Sequence, residues 1–139
     1  MLSKGTANET LKQRDKTMLV YRVENQAGIG PYTCRWVDNI DGPTQRWIKK
    51  YHDKLCAAHE PLHSTYHQVV NVIVGFEYDM VCGFASKDKL RKWFHGFRYG
   101  LRKNGFVCNV YEVAKAPTDG RQVCFDKKKA RLVRTIKIP

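Results

Sequence analysis

The stretch from Ser86 to Gly105 constrains this chain most. Leu90, Trp93, Phe94, Phe97 and Leu101 recur at the three- and four-residue steps that place side chains along one side of a helix. Ser86 offers a hydroxyl to the first turn, Asp88 puts a negative charge near the helix's positive end, and Gly105 stands just past its close. Five large apolar side chains on one stripe must be covered, so a layer of similar size has to lie against them. The opposite face carries Lys87, Arg91, Lys92, His95, Arg98 and Arg102. Such a face is either a solvated surface, as any exposed helix face must be polar, or a surface that holds an anionic partner.

A second helix is expected over Thr44 to Ala58, where Trp47, Tyr51 and Leu55 step by four. Thr44 serves as its cap and Pro61 as its stop. Between and after these helices the chain turns to β-formers. Met18 to Val23 gives a first strand ending near Glu24, inside the core sheet. Val69 to Phe76 gives a second, Phe106 to Val113 a third, Gln122 to Asp126 a fourth after the turn at Pro117 to Gly120, and Leu132 to Ile138 a last. The order reads as α+β: residues 18–139 form a single domain with a mixed or mainly antiparallel sheet and two main amphipathic helices. Residues 1–17 are polar and charged and read as a flexible tail.

With 139 residues and 42% hydrophobic content the chain can bury a core without staples. Its 25 Lys and Arg against 13 Asp and Glu leave a formal charge of +12, which surrounds a body this small with a positive field and points to anionic partners. Cys34, Cys56, Cys82, Cys108 and Cys124 are spread singly, with no CxxC pair. That pattern argues for reduced thiols in a cytoplasmic protein and against a disulfide framework or a zinc ribbon. No stretch has the apolar run of a signal peptide or a membrane span.

Short motifs exclude more than they assign. His59-Glu60-Pro61-Leu62-His63 spells the zinc-protease pattern, but Pro61 pushes Glu60 out of the helical region and separates the two histidines. A helix begun at Pro61 would pair His63 with His67 and leave His59 outside, so no metal is expected. Gly28-Ile29-Gly30 runs into Pro31 without the lysine or the helix of a phosphate loop. Cys82 beside Gly83, and Cys56 near His52 and His59, could serve as nucleophiles, although a buried structural thiol is the simpler reading of each. Arg46 to Tyr51 and Arg91 to His95 interleave aromatics with cations. Their spacing puts Trp47, Tyr51, Trp93 and Phe94 on the apolar faces, leaving phosphate attraction without base stacking.

Several segments together resemble a group of small phage and prophage proteins: Tyr21-Arg22-Val23-Glu24, Gly30-Pro31-Tyr32, Gly83-Phe84-Ala85-Ser86, Trp93-Phe94, Val110-Tyr111-Glu112-Val113 and Gly120 to Phe125. The resemblance runs from Met18 to about Ile138 and brings no reaction with it. More distantly the order is similar to ADP-ribosyltransferases. That similarity implies Tyr21 and Arg22 as the NAD-binding pair, Phe84, Ala85 and Ser86 as the hydroxyl-bearing strand, and Arg121 to Phe125 as the catalytic strand. The strand has Arg121 or Gln122 where the family carries glutamate.

Two functions follow. One is a phage-type host-takeover or anti-defence protein without a cofactor, acting in the host cytoplasm. It would bind and inhibit an anionic target, nucleic acid or an acidic protein surface, through Lys87, Arg91, Lys92, Arg98 and Arg102. The other is an ADP-ribosyltransferase-like enzyme that uses NAD to modify a host macromolecule. It would gather Tyr21, Arg22, Ser86 and Gln122 in one pocket, with Ser86 and Gln122 catalytic.

Overall fold

The alternation of Thr17–Glu24 gives strand β1, and the computed structural model describes it with residues 25–32, 41–58, 80–114, 116, 118 and 120–139. The expectations for the tail up to residue 16, for a strand over Val69 to Phe76, and for His59, His63 and His67 lie outside the described residues. β1 pairs antiparallel with β3 (Val107–Ala114), which pairs antiparallel with β5 (Arg131–Ile136). β2 (Met80–Gly83) and β4 (Val123–Asp126) form a second antiparallel pair. The two sheets are joined where Tyr21 and Phe84 exchange backbone hydrogen bonds of 2.8 Å in each direction. The fold is α+β, as expected, and every ladder among the described residues is antiparallel.

Strand alternation divides the core in two. From one face of the three-stranded sheet Leu19, Tyr21, Val23, Cys108 and Val110 meet the helices and pack with Trp47, Leu55, Leu90, Phe94 and Leu101. From the other face Met18, Val20, Tyr111 and Val113 meet Val81, Val123 and Phe125 of the two-stranded sheet. The three-stranded sheet is therefore a middle layer with an apolar cluster on each side.

The first helix differs in its start from the expectation. Asp41 is the cap, its side chain accepting from the Thr44 backbone at 2.7 Å, and Pro43 occupies the first turn, where no N–H is missed. Thr44 is buried instead, and its hydroxyl accepts from Asn25 at 2.9 Å. The helix runs as α1 (Gly42–Trp47), a wider π turn (Ile48–His52) and α2 (Asp53–Ala58). A four-residue step in an ordinary helix drifts by about 40° around the axis. The wide turn takes up part of that drift, so Trp47, stacked on Tyr51 with ring centroids 4.7 Å apart, and buried Leu55 stay on the core side.

The Ser86 helix also departs from a single rod. Ser86 caps it as expected, accepting from Lys89 N at 3.2 Å. It then breaks after Trp93 and resumes only at Arg98, giving α3 (Lys87–Trp93) and α4 (Arg98–Lys103). Gly96 lies in the break at φ +87°, a backbone conformation that a side chain resists. The break keeps Trp93, Phe94, Phe97 and Leu101 on one core despite the interruption.

β2 was not anticipated as a strand, because Gly83 weakens the signal. Gly83 is there for space. A methyl added to it would stand 2.4 Å from Val20 Cγ1 and 3.0 Å from the Tyr21 carbonyl, where β2 crosses against β1. Gly83→Ala is expected to lose about 2 kcal/mol or more of stability, since backbone is one of the clashing partners. Gly96→Ala, with nothing within 4 Å of the added carbon, is expected to lose about 1 kcal/mol from backbone strain alone. Urea unfolding midpoints of both variants check the ranking.

Candidate functional site

Two polar constellations stand out, one buried and one open. The buried one begins with Glu24, which ends β1 with its side chain 1% exposed. A buried carboxylate is costly unless each oxygen is met by donors. Oε1 accepts from Asn109 Nδ2 at 2.7 Å and from the Tyr111 hydroxyl, both on the neighbouring strand β3. Oε2 meets Arg22 Nε and Lys127 Nζ, each at 2.9 Å. Burial works to raise the Glu24 pKa. The Tyr111 hydrogen bond and the Arg22 charge, helped by Asn109 and Lys127, outweigh it and hold the group below the ordinary carboxylate value. Burial, with the same hydrogen bond and the Glu24 charge, pushes the Tyr111 hydroxyl up, so it stays a donor.

Arg22 thus has defined partners. Besides Glu24, its Nη1 donates to the Cys82 carbonyl at 2.8 Å, tying β1 to β2. Lys127 also donates to the Gly28 carbonyl at 3.1 Å, which closes the turn after β1. Glu24, Asn109, Tyr111 and Lys127 were not singled out from the sequence. The available signal was Arg22 and Glu24 in phase with buried Val20, which puts two charges on an inward face.

The residues expected to hold NAD do not converge. Tyr21 sides with the helix-facing cluster, whereas Arg22, its neighbour in the strand, points to the opposite face, as strand alternation requires. Ser86 spends its hydroxyl as a helix cap. Gln122 is buried just ahead of β4, and its carbonyl accepts from Thr118 Oγ1 at 2.6 Å. The turn before it is held to α3, with Lys89 Nζ donating to the Gly120 carbonyl at 2.9 Å and the Arg121 guanidinium over the Trp93 ring. Tyr21 and Arg22 thus lie on opposite faces of one sheet.

The open constellation lies on the basic face. Asp88, Arg91, Lys92, His95 and Arg98 line a cleft of about 480 Å³. Asp88, Arg91 and Lys92 come from α3, His95 from the break beside Gly96 and Arg98 from the start of α4. Arg91, Lys92 and Arg98 from the expected set share this cleft, while Lys87 and Arg102, both exposed, lie outside its lining. Among the described residues Asp88 pairs with Arg91, at 4.0 Å. Arg98 is steadied by donating Nη1 to the Pro139 carbonyl at 2.9 Å. Next to it Tyr99 is 69% exposed, with Lys103 Nζ over its ring.

Of the described thiols Cys108 and Cys124 are buried, whereas Cys56 and Cys82, expected to be buried, are half-buried; Cys34 lies outside the described residues. Cys108 is buried in the core, where burial pushes its pKa up to about 11, an inert thiol. Cys56 sits 3.8 Å from His52 Nε2, and that ring nitrogen faces the Tyr32 carbonyl at 3.2 Å. The described residues contain no group of three or more His, Cys, Asp and Glu side chains that could hold a metal ion. No helix among them is long and apolar enough to cross a membrane.

The sequence profile of the Bacteriophage T4 Y00F protein family matches residues 18–139. No curated protein and no solved structure matches the chain.

The buried carboxylate sets a pH dependence. Because the folded pKa of Glu24 lies below its unfolded value, its contribution is complete above the ordinary carboxylate range near pH 4.5 and is lost as pH falls through the lower folded pKa. Glu24→Gln is expected to lose about 3 kcal/mol at pH 7, since two cations would keep their burial without the charge that offsets it. Between pH 5 and pH 3 it should also lose less stability than the unaltered chain; chemical unfolding at both pH values measures each difference.

Proposed function

The chain belongs to the Bacteriophage T4 Y00F protein family, and from that premise we propose that it is a small basic host-takeover or anti-defence protein. It binds and inhibits an anionic host target, nucleic acid or an acidic protein surface. The observation that carries this reading is the cleft lined from α3 and α4, where Arg91, Lys92, His95 and Arg98 stand with one carboxylate, Asp88, among the described residues. Three permanent cations around one hollow repel one another, and an anion seated there relieves the repulsion. Arginine suits the role because its planar guanidinium grips phosphate or carboxylate oxygens in pairs. Exposed Lys87 and Arg102, on the same two helices, add to the positive charge outside the cleft, and the +12 charge of the whole chain speeds encounter with a polyanion.

The enzyme reading, an ADP-ribosyltransferase-like use of NAD, has no comparable support. Arg22 already meets Glu24 and the Cys82 carbonyl, and its strand neighbour faces the other way.

The double variant Arg91→Ala/Arg98→Ala checks the proposal. Both side chains lie at the surface of the helices rather than in the core, so the fold should survive their removal. Titrations with duplex DNA, single-stranded nucleic acid and an acidic peptide at two salt concentrations are expected to show tight, salt-sensitive binding of one of them. The double variant should weaken it by roughly 10- to 100-fold and flatten the salt slope by about 2. Binding of none of the three by the unaltered chain, or binding that the double variant leaves intact, overturns the assignment.

A further inference from the structure

Outside the basic cleft, the ladder between β2 and β4 holds an unused chemical feature. Its register sets Cys82 directly opposite Cys124. Valines 81 and 123 and Phe125 turn toward the apolar cluster between the sheets, so alternation turns both cysteines to the other face, side by side. Directly opposed residues in an antiparallel ladder stand about 4.5 or about 5.5 Å apart at Cα. Both spacings fall inside the roughly 4.4–6.8 Å that a disulfide accepts without backbone movement. We propose that Cys82 and Cys124 form a reversible dithiol/disulfide site that reacts with small disulfides such as oxidised glutathione, independently of any anion binding.

The environment of the pair suits the two steps. Cys82 is half-buried and so within reach of a small reagent, whereas Cys124 is 3% exposed and shielded from it. In the reduced pair the Cys82 thiol donates a hydrogen bond that lowers the Cys124 pKa, against the opposing effect of burial; the bond holds the two sulfurs together before the reaction and ends once Cys82 has reacted. In the first step the Cys82 thiol gives up its proton to water and its sulfur attacks one sulfur of the reagent. The reagent's S–S bond breaks and one thiolate leaves, to be protonated. In the second step the Cys124 thiol gives up its proton to water and its sulfur attacks the Cys82 sulfur of this mixed disulfide, expelling the second reagent thiolate, which is also protonated. Two protein thiols are oxidised to one disulfide, and one reagent disulfide is reduced to two thiols. Excess small thiol runs the sequence backwards.

The product would staple β2 to β4. Through the Cys82 carbonyl it would also stiffen the seat of Arg22, and through Gly83 to Ser86 the entry to α3. The folded full chain is incubated with oxidised glutathione, remaining thiols are alkylated, and the digest is mapped by mass spectrometry without reduction. The expected product is one cross-linked peptide pair joined through Cys82 and Cys124, two hydrogens lighter than the reduced pair. The thermal midpoint should rise by on the order of 10 °C and return on adding dithiothreitol. Cys82→Ser should abolish both the cross-link and the shift while leaving Cys124 free of glutathione. The proposal is overturned by a glutathione adduct that persists on Cys82, by a cross-link through any other cysteine pair, or by an unreacted map. Because the map is read on the unaltered chain, the decision stands even if the serine variant fails to fold.

Discussion

The carboxylate of Glu24 is the interaction on which the arrangement of strands depends. It sits at the end of β1, buried, and takes donors from its own strand, from two residues of β3 and from the segment that follows β4. Asn109 extends the contact outward by accepting from Thr135 of β5 at 2.7 Å, and Arg22 extends it to the carbonyl of Cys82 in β2. A buried charge tolerates little misplacement, because each lost donor restores part of the desolvation cost. One carboxylate thereby specifies how the two sheets meet, which apolar packing between them would leave more permissive.

The three-stranded sheet can act as a middle layer because its two faces do different work. The helix-facing side is lined with aromatic and branched apolar groups, and Trp47 and Phe97 meet edge to face with centroids 6.3 Å apart. The other side combines a small apolar cluster with the polar knot at one end of β1. Neighbouring strand residues are committed to opposite layers, which is why Tyr21 and Arg22, adjacent in sequence, point to opposite faces.

The basic surface depends on a backbone event and not on composition alone. Gly96 permits the left-handed turn that splits the second amphipathic helix, and the cleft takes its lining from both halves and from the turn between them. His95 joins that lining because it lies in the break itself. The same break is compatible with the core because the apolar stripe is taken up again by Phe97 and Leu101.

The amino-acid sequence by itself determined the class of the fold, most strand positions, the two amphipathic faces and the inward placement of Trp47, Leu55, Trp93 and Phe94. These follow from periodicity, which is a local property of the chain. It also determined the excess positive charge and the set of cations on the Ser86 helix, together with the resemblance to phage proteins, which the profile match bears out, whereas the similarity to ADP-ribosyltransferases has no match behind it. Only the tertiary structure decided that Asp41 caps the first helix, that β2 pairs with β4 and opposes Cys82 to Cys124, and that Arg22 belongs to Glu24. It alone decided, too, which cations surround a cleft. Each of these outcomes joins residues distant in sequence, or turns on a single backbone dihedral, and neither leaves a periodic trace in the order of the residues.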